Sequence, residues 1–218
     1  MLKRIIGALR PGLVLLAVFL VVGLAGIAYQ GVRTLQTLTA VEADRDQWQR
    51  PEDVIRRLNL KDGSVVVDLG SGAGYFTLKL SDAVGPRGEV VAVDLRQFSL
   101  LFLRIRAFLR RKNNIRIIVG HPDNPHLAAA TVDSVLIANT YHELIEPQSI
   151  LRHISRALRQ GGRLVIVDRS EGAEDYRVLP EVVEAGLRNE GFELTSREDT
   201  FIQRPGDDLW WLIVATRP

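Results

Sequence analysis

The chain of 218 residues reads as an α/β protein. The expected architecture is a doubly wound, mostly parallel sheet with a C-terminal antiparallel hairpin strand, plus one N-terminal transmembrane helix. Three observations lead there. Short runs rich in Val and Ile alternate with helical patterns through the middle of the chain, the order that builds parallel sheets with helices on both faces. The last two runs lie close enough in sequence to pair as a hairpin. An apolar segment without a charge precedes everything else.

That segment, PGLVLLAVFLVVGLAGIAYQGV, fills the 22 positions between Arg10 and Arg33. As a helix rising about 1.5 Å per residue it covers roughly 33 Å, enough for a hydrocarbon core of about 30 Å. Residues 1–30 are therefore read as a membrane anchor, in contact with lipid through 11–30. A cleaved signal peptide is the alternative, because Gly26-Ile27-Ala28 fits a small-x-small cleavage site. Lys3, Arg4 and Arg10 precede the span and Arg33, Arg45 and Arg50 follow it, a near balance that slightly favours a cytoplasmic N-terminus. Residues 31–50 are polar and read as a linker helix, and 51–218 as the folded domain.

Within the domain, Pro51 opens a short helix, Glu52 to Leu60, with Val54, Ile55 and Leu58 on one face. Val65–Leu69, Glu89–Asp94, Ile115–Val119, Val132–Ala138 and Arg163–Asp168 have the Val and Ile content of buried parallel strands. Helical patterns separate them at Tyr75–Val84, Gln97–Lys112 and Pro147–Arg159. A helix at Pro180–Glu190 then leads to strands Phe192–Glu198 and Asp208–Thr216. Trp210 and Trp211 adjoin in the last of these, so one is expected to face the core and the other outward.

Composition narrows the chemistry. There is no cysteine, which excludes disulfides and thiolate metal sites. His121, His126, His142 and His153 show no zinc-ligand spacing. A net charge of +2 is too small to imply nucleic acid.

Strand one runs directly into Asp68-Leu69-Gly70-Ser71-Gly72-Ala73-Gly74, followed by helix-forming Tyr75-Phe76-Thr77-Leu78. Glycines here permit a tight strand-to-helix turn and a close backbone approach by a ligand. The helix N-terminus offers free N–H groups and a positive dipole end for a carboxylate. In the dinucleotide pattern GxGxxG the third glycine would fall on Tyr75, which argues against NAD and a pyrophosphate. Asp94, at the end of strand two, can accept both hydroxyls of a ribose.

Together, VVDLGSGAGYFTLKL, VVAVDL, VDSVLIANTYHEL and LRQGGRLVIVD resemble the successive motifs of class I (Rossmann-like) S-adenosylmethionine-dependent methyltransferases. More narrowly, they resemble small bacterial members that carry an N-terminal signal or anchor. The likeness covers roughly residues 48–218. It implies S-adenosylmethionine as cofactor and an antiparallel last strand. It also implies that Asp68, Gly70, Ser71, Gly72 and Gly74 hold the methionine end, that Asp94 holds the ribose, and that Leu95 lies on the adenine. Relatives place an acid just after the glycine that ends the next strand. Here Gly120 is followed by His121-Pro122-Asp123: either Asp123 replaces that acid two residues later, which is the favoured expectation, or the adenine contact is weakened.

Strand four ends in Asn139-Thr140-Tyr141-His142-Glu143, at the carboxyl edge where open α/β sheets bind ligands. Asn139 is counted as a further cofactor contact. Methyl transfer chiefly needs an in-line nucleophile brought close, and needs a base only when the nucleophile must lose a proton. Histidine titrates near neutral pH, so His142 is the candidate base, with Tyr141 orienting the acceptor. Packing beneath the cofactor is the alternative role for both. Asp168-Arg169 begins a polar loop, Ser170–Arg177, that includes Tyr176 and sits on the same edge.

Residues 96–112 read RQFSLLFLRIRAFLRRK and carry two apolar stripes. Phe98, Leu101, Phe102, Ile105 and Leu109 form the stripe expected to cover the sheet. Leu100, Leu103 and Ala107 form the other, flanked by arginines, and point to a membrane surface or a protein partner. The functional expectation is methyl transfer to a small or lipid-like acceptor at a membrane. The flank count alone would put the domain outside, but the methyl donor is made in the cytosol and the arginines suit the anionic cytoplasmic leaflet, so the domain is expected on the cytoplasmic side. The rival is a non-catalytic subunit or assembly factor of a membrane complex that keeps the fold.

Overall fold

The computed structural model describes residues 11–170, 178–203 and 209–218. Helix α1 (Pro11–Trp48) is continuous. The chain divides into two units, one up to Ala43 and one from Asp44 onward. In the first unit α1 is a lone helix whose Leu13, Leu16, Phe19, Val22, Leu24 and Ile27 are all more than half exposed. It is the one helix among the described residues that is long and apolar enough to cross a membrane, by length and composition. Its flanking Lys3, Arg4 and Arg10 lie outside the described residues.

The second unit holds the α/β domain together with the last turn of α1, residues that read from sequence as linker. Arg50 adopts a left-handed conformation and donates to the Phe201 carbonyl, which breaks the helix path before Pro51 opens α2 (Pro51–Arg57). The chain continues through β1 (Val65–Leu69), α3 (Tyr75–Ala83), β2 (Glu89–Asp94), α4 (Gln97–Leu109), β3 (Ile115–Val119) and β4 (Val132–Ala138). After a 3-10 turn at Tyr141–Glu143 come α5 (Pro147–Ala157), β5 (Leu158–Arg169), α6 (Pro180–Asn189), β6 (Glu193–Gln203) and β7 (Leu209–Thr216). The seven strands form one sheet in the order β3-β2-β1-β4-β5-β7-β6. Neighbours from β3 to β5 are parallel, and β7 runs antiparallel to both β5 and β6. The Val- and Ile-rich runs predict β1 to β4 at their observed bounds, while β5 starts earlier, at Leu158 rather than Arg163.

Alternating strand side chains feed a core on each face of the sheet. Val67, Val91 and Ile137 meet Ile154 of α5 and Leu187 of α6 on one face. Val66, Val90 and Leu136 meet Leu58, just after α2, and Phe76 and Leu80 of α3 on the other. Because both faces are covered, Trp210 and Trp211 are both buried, contrary to the outward placement expected for one of them. Trp211 donates its indole N–H to the Val178 carbonyl at 3.1 Å. Trp210 is covered by Trp48 from the end of α1, with ring centroids 5.5 Å apart.

Helix α4 reverses the expected orientation. Leu100, Leu103 and Ala107 are buried, whereas Phe98, Leu101, Ile105 and Leu109 lie outside and Phe98 is 80% exposed. The reason is the surface that α4 meets. Leu100 and Leu103 pack on Ala92, with Ile115 and Ile117 at the margin. Leu103 also occupies the space beside Gly74, where any Cβ would collide with it. Arg106 is buried on the same side and donates to the Ala73 carbonyl. A narrow seat beside the glycine loop accepts leucine and alanine and leaves no room for the phenylalanines.

This orientation has a measurable consequence. Leu103→Ala should cost about 2–5 kcal/mol of unfolding free energy, while Leu101→Ala should stay within about 0.5 kcal/mol of the parent. Denaturant titration in one detergent would compare them, and the reverse ranking would return the larger stripe to the sheet.

Candidate cofactor site

The carboxyl ends of β1, β2 and β4 surround a cleft that reaches from Gly70 to Ile145. Its base is the glycine loop, fastened to the end of β2. The N–H groups of Gly70 and Ser71 both donate to the Val93 carbonyl, at 2.8 and 3.1 Å. The N–H of Gly72 donates to Asp94 Oδ2 at 2.7 Å. Gly70, Gly72 and Gly74 all have positive φ, which L side chains rarely adopt. A Cβ on Gly70 would collide with Thr140, whereas one on Gly72 would meet no protein atom within 4 Å. The open side of the loop is therefore at Gly72, where a ligand can approach the backbone.

Asp94 is buried at the end of β2 and accepts from the Arg96 N–H at 2.8 Å as well as from Gly72. Asp68 is buried at the end of β1 and accepts from the Thr77 hydroxyl at 2.5 Å. Burial pushes its carboxyl up to about 6. The Thr77 hydroxyl and the positive charge of Arg45 oppose that rise, and Asp94 adds to it.

Apolar and small side chains form the rest of the cleft. Leu95, Pro122, Pro125, Leu144 and Ile145 make a slot of the kind a flat purine fits. Arg96 reaches across its mouth, 3.3 Å from Asp94 and 3.7 Å from Glu143. Two buried polar atoms at this edge have no hydrogen-bond partner, Ser71 Oγ and Asn139 Oδ1. Asn139 also has positive φ, a conformation uncommon outside glycine that sets its side chain at the end of β4. Unsatisfied buried groups of this kind are what a polar ligand would complete. The acids, the slot, the open Gly72 and these two atoms fit S-adenosylmethionine.

Three expectations for the site need correction or qualification. Asp123 does not line the cleft. Reciprocal bonds between His121 and Asn124 close a tight turn, which sets Asp123 outside in contact with the His121 ring. That ring holds its carboxyl below the usual range. The cleft wall there is Gly120, His121, Pro122 and Pro125, without an acid. Tyr141 does not face an acceptor either. It is 5% exposed in the core, its hydroxyl turned towards Gly186 of α6, and burial pushes it up to about 12.

His142 stands beneath the cleft rather than in it. Its side chain is 2% exposed, with Nδ1 2.8 Å from Oδ1 of the fully buried Asp168. The His142 backbone N–H donates to the other carboxylate oxygen at 3.2 Å. Nε2 lies 3.4 Å from the Arg169 guanidinium. Among residues 170–177 of the expected substrate loop, those from 171 on, Tyr176 included, lie outside the described residues.

The sequence reading also missed a contribution from the end of α1. Arg45 lies over the Tyr75 ring, its guanidinium carbon 3.8 Å from the centroid. Asp46 accepts from the Tyr75 hydroxyl at 2.9 Å and pairs with Lys79 at 2.8 Å. Burial works against the Asp46 charge, but the bonds from Lys79 and Tyr75 prevail and hold its carboxyl below the usual range. The i, i+3 and i, i+4 spacing of Arg45, Trp48 and Gln49 marks one helix face, a signal present in the sequence although residues 31–50 read as a polar linker helix.

Comparison with known proteins accords with this geometry. Residues 60–200 match a family described as a methyltransferase domain. Among curated relatives, a demethylmenaquinone methyltransferase of Geobacillus sp. (strain WCH70) is 28% identical over 55% of this chain and 51% of its own length. A ubiquinone/menaquinone biosynthesis C-methyltransferase of Syntrophotalea carbinolica is 31% identical over 54% of this chain and 48% of its own. The chain thus spans about half the length of the curated relatives it matches. An S-adenosylmethionine-dependent methyltransferase from Aquifex aeolicus superposes with TM-score 0.70 at 23% identity, covering 84% of this chain and 98% of that one. A putative methyltransferase from Bacillus halodurans gives TM-score 0.66 at 17% identity, covering 78% and 99%. At these identities the structures speak for the fold alone. The family match takes in more than half of the chain, which belongs to the methyltransferase-domain family, with S-adenosylmethionine as its cofactor.

Proposed function

We propose that the protein transfers the methyl group of S-adenosylmethionine to a small, lipid-like acceptor at a membrane in which residues 11–30 are anchored. The observation that carries the membrane half of this reading is the exposed apolar surface of α1, sized for a hydrocarbon core. Helix α4 supports it. Its outer stripe of Phe98, Leu101, Ile105, Phe108 and Leu109 is exposed, with the exposed Arg104, Arg110 and Arg111 beside it. Apolar residues rimmed by arginine suit the boundary of an anionic bilayer, where each basic residue contributes about 1 kcal/mol. The cytoplasmic leaflet supplies that charge, and the cytosol supplies the methyl donor, so the domain is read as cytoplasmic. A lipid-like acceptor also agrees with the names of the relatives, a demethylmenaquinone methyltransferase among them. The cleft with its unsatisfied Ser71 and Asn139 favours an enzyme over a non-catalytic subunit.

The cofactor supplies an electrophilic methyl on a sulfonium. The chain's own part is to bind and orient. Asp68 takes the amino group of the methionine end, Asp94 the ribose hydroxyls, and Leu95 packs on the adenine. His142 receives the proton that the acceptor loses, with Asp168 holding Nδ1 and so leaving Nε2 as the accepting atom. Arg169, now beside Nε2, has to move aside for that contact.

Three experiments test this reading. Full-length protein in vesicles containing anionic lipid, given labelled S-adenosylmethionine and a membrane lipid extract, should place label in the organic phase. Phe98→Asp combined with Phe108→Asp should lower that labelling while affinity for S-adenosylhomocysteine is kept. Label confined to water-soluble products would overturn the lipid-like acceptor.

The second concerns Asp68. Only its ionised form pairs with an ammonium. Because burial raises its carboxyl to about 6, cofactor affinity should be full well above that pH and fall as pH drops through it. At pH 5 about one carboxylate in ten remains ionised, so affinity should be roughly tenfold weaker than at pH 7.5. The stability contribution has the opposite sign, since a raised carboxyl favours the folded apoprotein at low pH and loses that advantage as pH rises through about 6. Titration calorimetry should find the pH dependence of binding gone in Asp68→Asn. A dependence that survives the substitution would assign it elsewhere.

The third is His142→Gln, which should reduce turnover on the order of 10²-fold with S-adenosylhomocysteine affinity unchanged. Unaltered turnover at saturating acceptor would leave His142 a packing role.

A further inference from the structure

Gln49 is fully buried immediately after α1, and its Nε2 has no hydrogen-bond partner. An amide donor in that position is costly unless something absent from the bare chain accepts from it. Its orientation is not open to reversal. Arg45 Nε donates to Gln49 Oε1 at 2.5 Å, and arginine has only donors, so the oxygen must face Arg45 and the NH₂ must face away. Arg45 in turn lies on the Tyr75 ring, and its charge is felt at Asp68. Tyr75 is the first residue of α3, directly after Gly74, and that helix start has no side-chain cap. Through Arg45, a buried amide donor and a guanidinium are thus linked to the uncapped first turn of the helix that follows the glycine loop. They complement an anion whose own cationic group lies close by.

We propose that Gln49, oriented by Arg45, binds the amino-acid carboxylate of S-adenosylmethionine, so that the last turn of the apolar N-terminal helix is part of the cofactor site. The proposal rests on the reading of this cleft as an S-adenosylmethionine site and adds a recognition element to it. Gln49 Nε2 donates to the carboxylate, Arg45 supplies positive charge behind it, and Asp68 faces the ammonium on the same carbon. The arrangement distinguishes ligands that carry the amino acid from ligands that carry only the nucleoside. Asp46, pinned by Tyr75 and Lys79, holds the turn in place. Trp48 on Trp210 and Arg50 on the Phe201 carbonyl fasten it from the other side.

The test compares two ligands that differ in the group recognised. S-adenosylhomocysteine has the carboxylate, and 5′-methylthioadenosine keeps the adenosine and the thioether without it. Calorimetry on the full-length protein in detergent would measure both against the parent, Gln49→Leu, Gln49→Glu and Arg45→Met. Gln49→Leu should weaken S-adenosylhomocysteine about tenfold, as expected for a lost bond to a charged group, and leave 5′-methylthioadenosine unchanged. Gln49→Glu should weaken the first further by setting like charges together, and Arg45→Met should act in the same ligand-selective direction. Equal losses for both ligands would mean that the turn only supports the fold, and would overturn the proposal. So would unchanged binding of S-adenosylhomocysteine in folded Gln49→Leu and Arg45→Met. Failure of the parent to bind either ligand would instead remove the cofactor reading, and this inference with it.

Discussion

Fastening of the glycine loop to the end of β2 is the constraint on which the site depends. Three backbone N–H groups, from Gly70, Ser71 and Gly72, are committed to Val93 and Asp94. Loop conformation and the position of the Asp94 carboxylate are therefore set by one group of bonds. A parallel pairing of β1 with β2 in the observed register brings Leu69 opposite Val93 and makes those bonds possible. The same parallel order demands helical crossovers, and these supply the layers that bury both faces of the sheet.

Packing around the loop follows from it. Gly70 leaves room for Thr140, and Gly74 leaves room for Leu103, so β4 and α4 close on the loop from two sides. Seating Leu103 there turns α4 about its axis, and its phenylalanines come to lie outside. An apolar stripe on the surface is thus a consequence of how tightly the helix fits the loop. Arg104, Arg110 and Arg111 border that stripe and are exposed with it.

One helix joins the two parts of the chain's chemistry. The apolar stretch of α1 and the turn that carries Arg45, Asp46, Trp48 and Gln49 belong to one uninterrupted element. That turn is held by polar and aromatic contacts to α3, β6 and β7, and Gln49, directly after it, is fully buried. His142 follows another pattern. Its carboxylate partner is completely buried and its ring is covered, so any role in proton transfer has to include movement of Arg169.

By itself the sequence determined the order of strands and helices, the glycine loop, Asp68 and Asp94, because those signals are local. Strand-forming runs, positive-φ glycines and an acid at a strand end each act through neighbours in the chain. Tertiary structure decided the rest. Periodicity defines two stripes on α4, but which one seats on the sheet depends on Ala92 and Gly74, distant residues that leave only a narrow space. Asp123 lay two positions from an expected contact, and a turn closed by His121 and Asn124 carried it to the outside. Tyr141 adjoins the edge in sequence, yet the apolar space beside α6 took its ring into the core. Arg45, Trp48 and Gln49 share one helix face by their spacing, but that face becomes significant only when Trp210, Tyr75 and Phe201 enclose the turn that carries it.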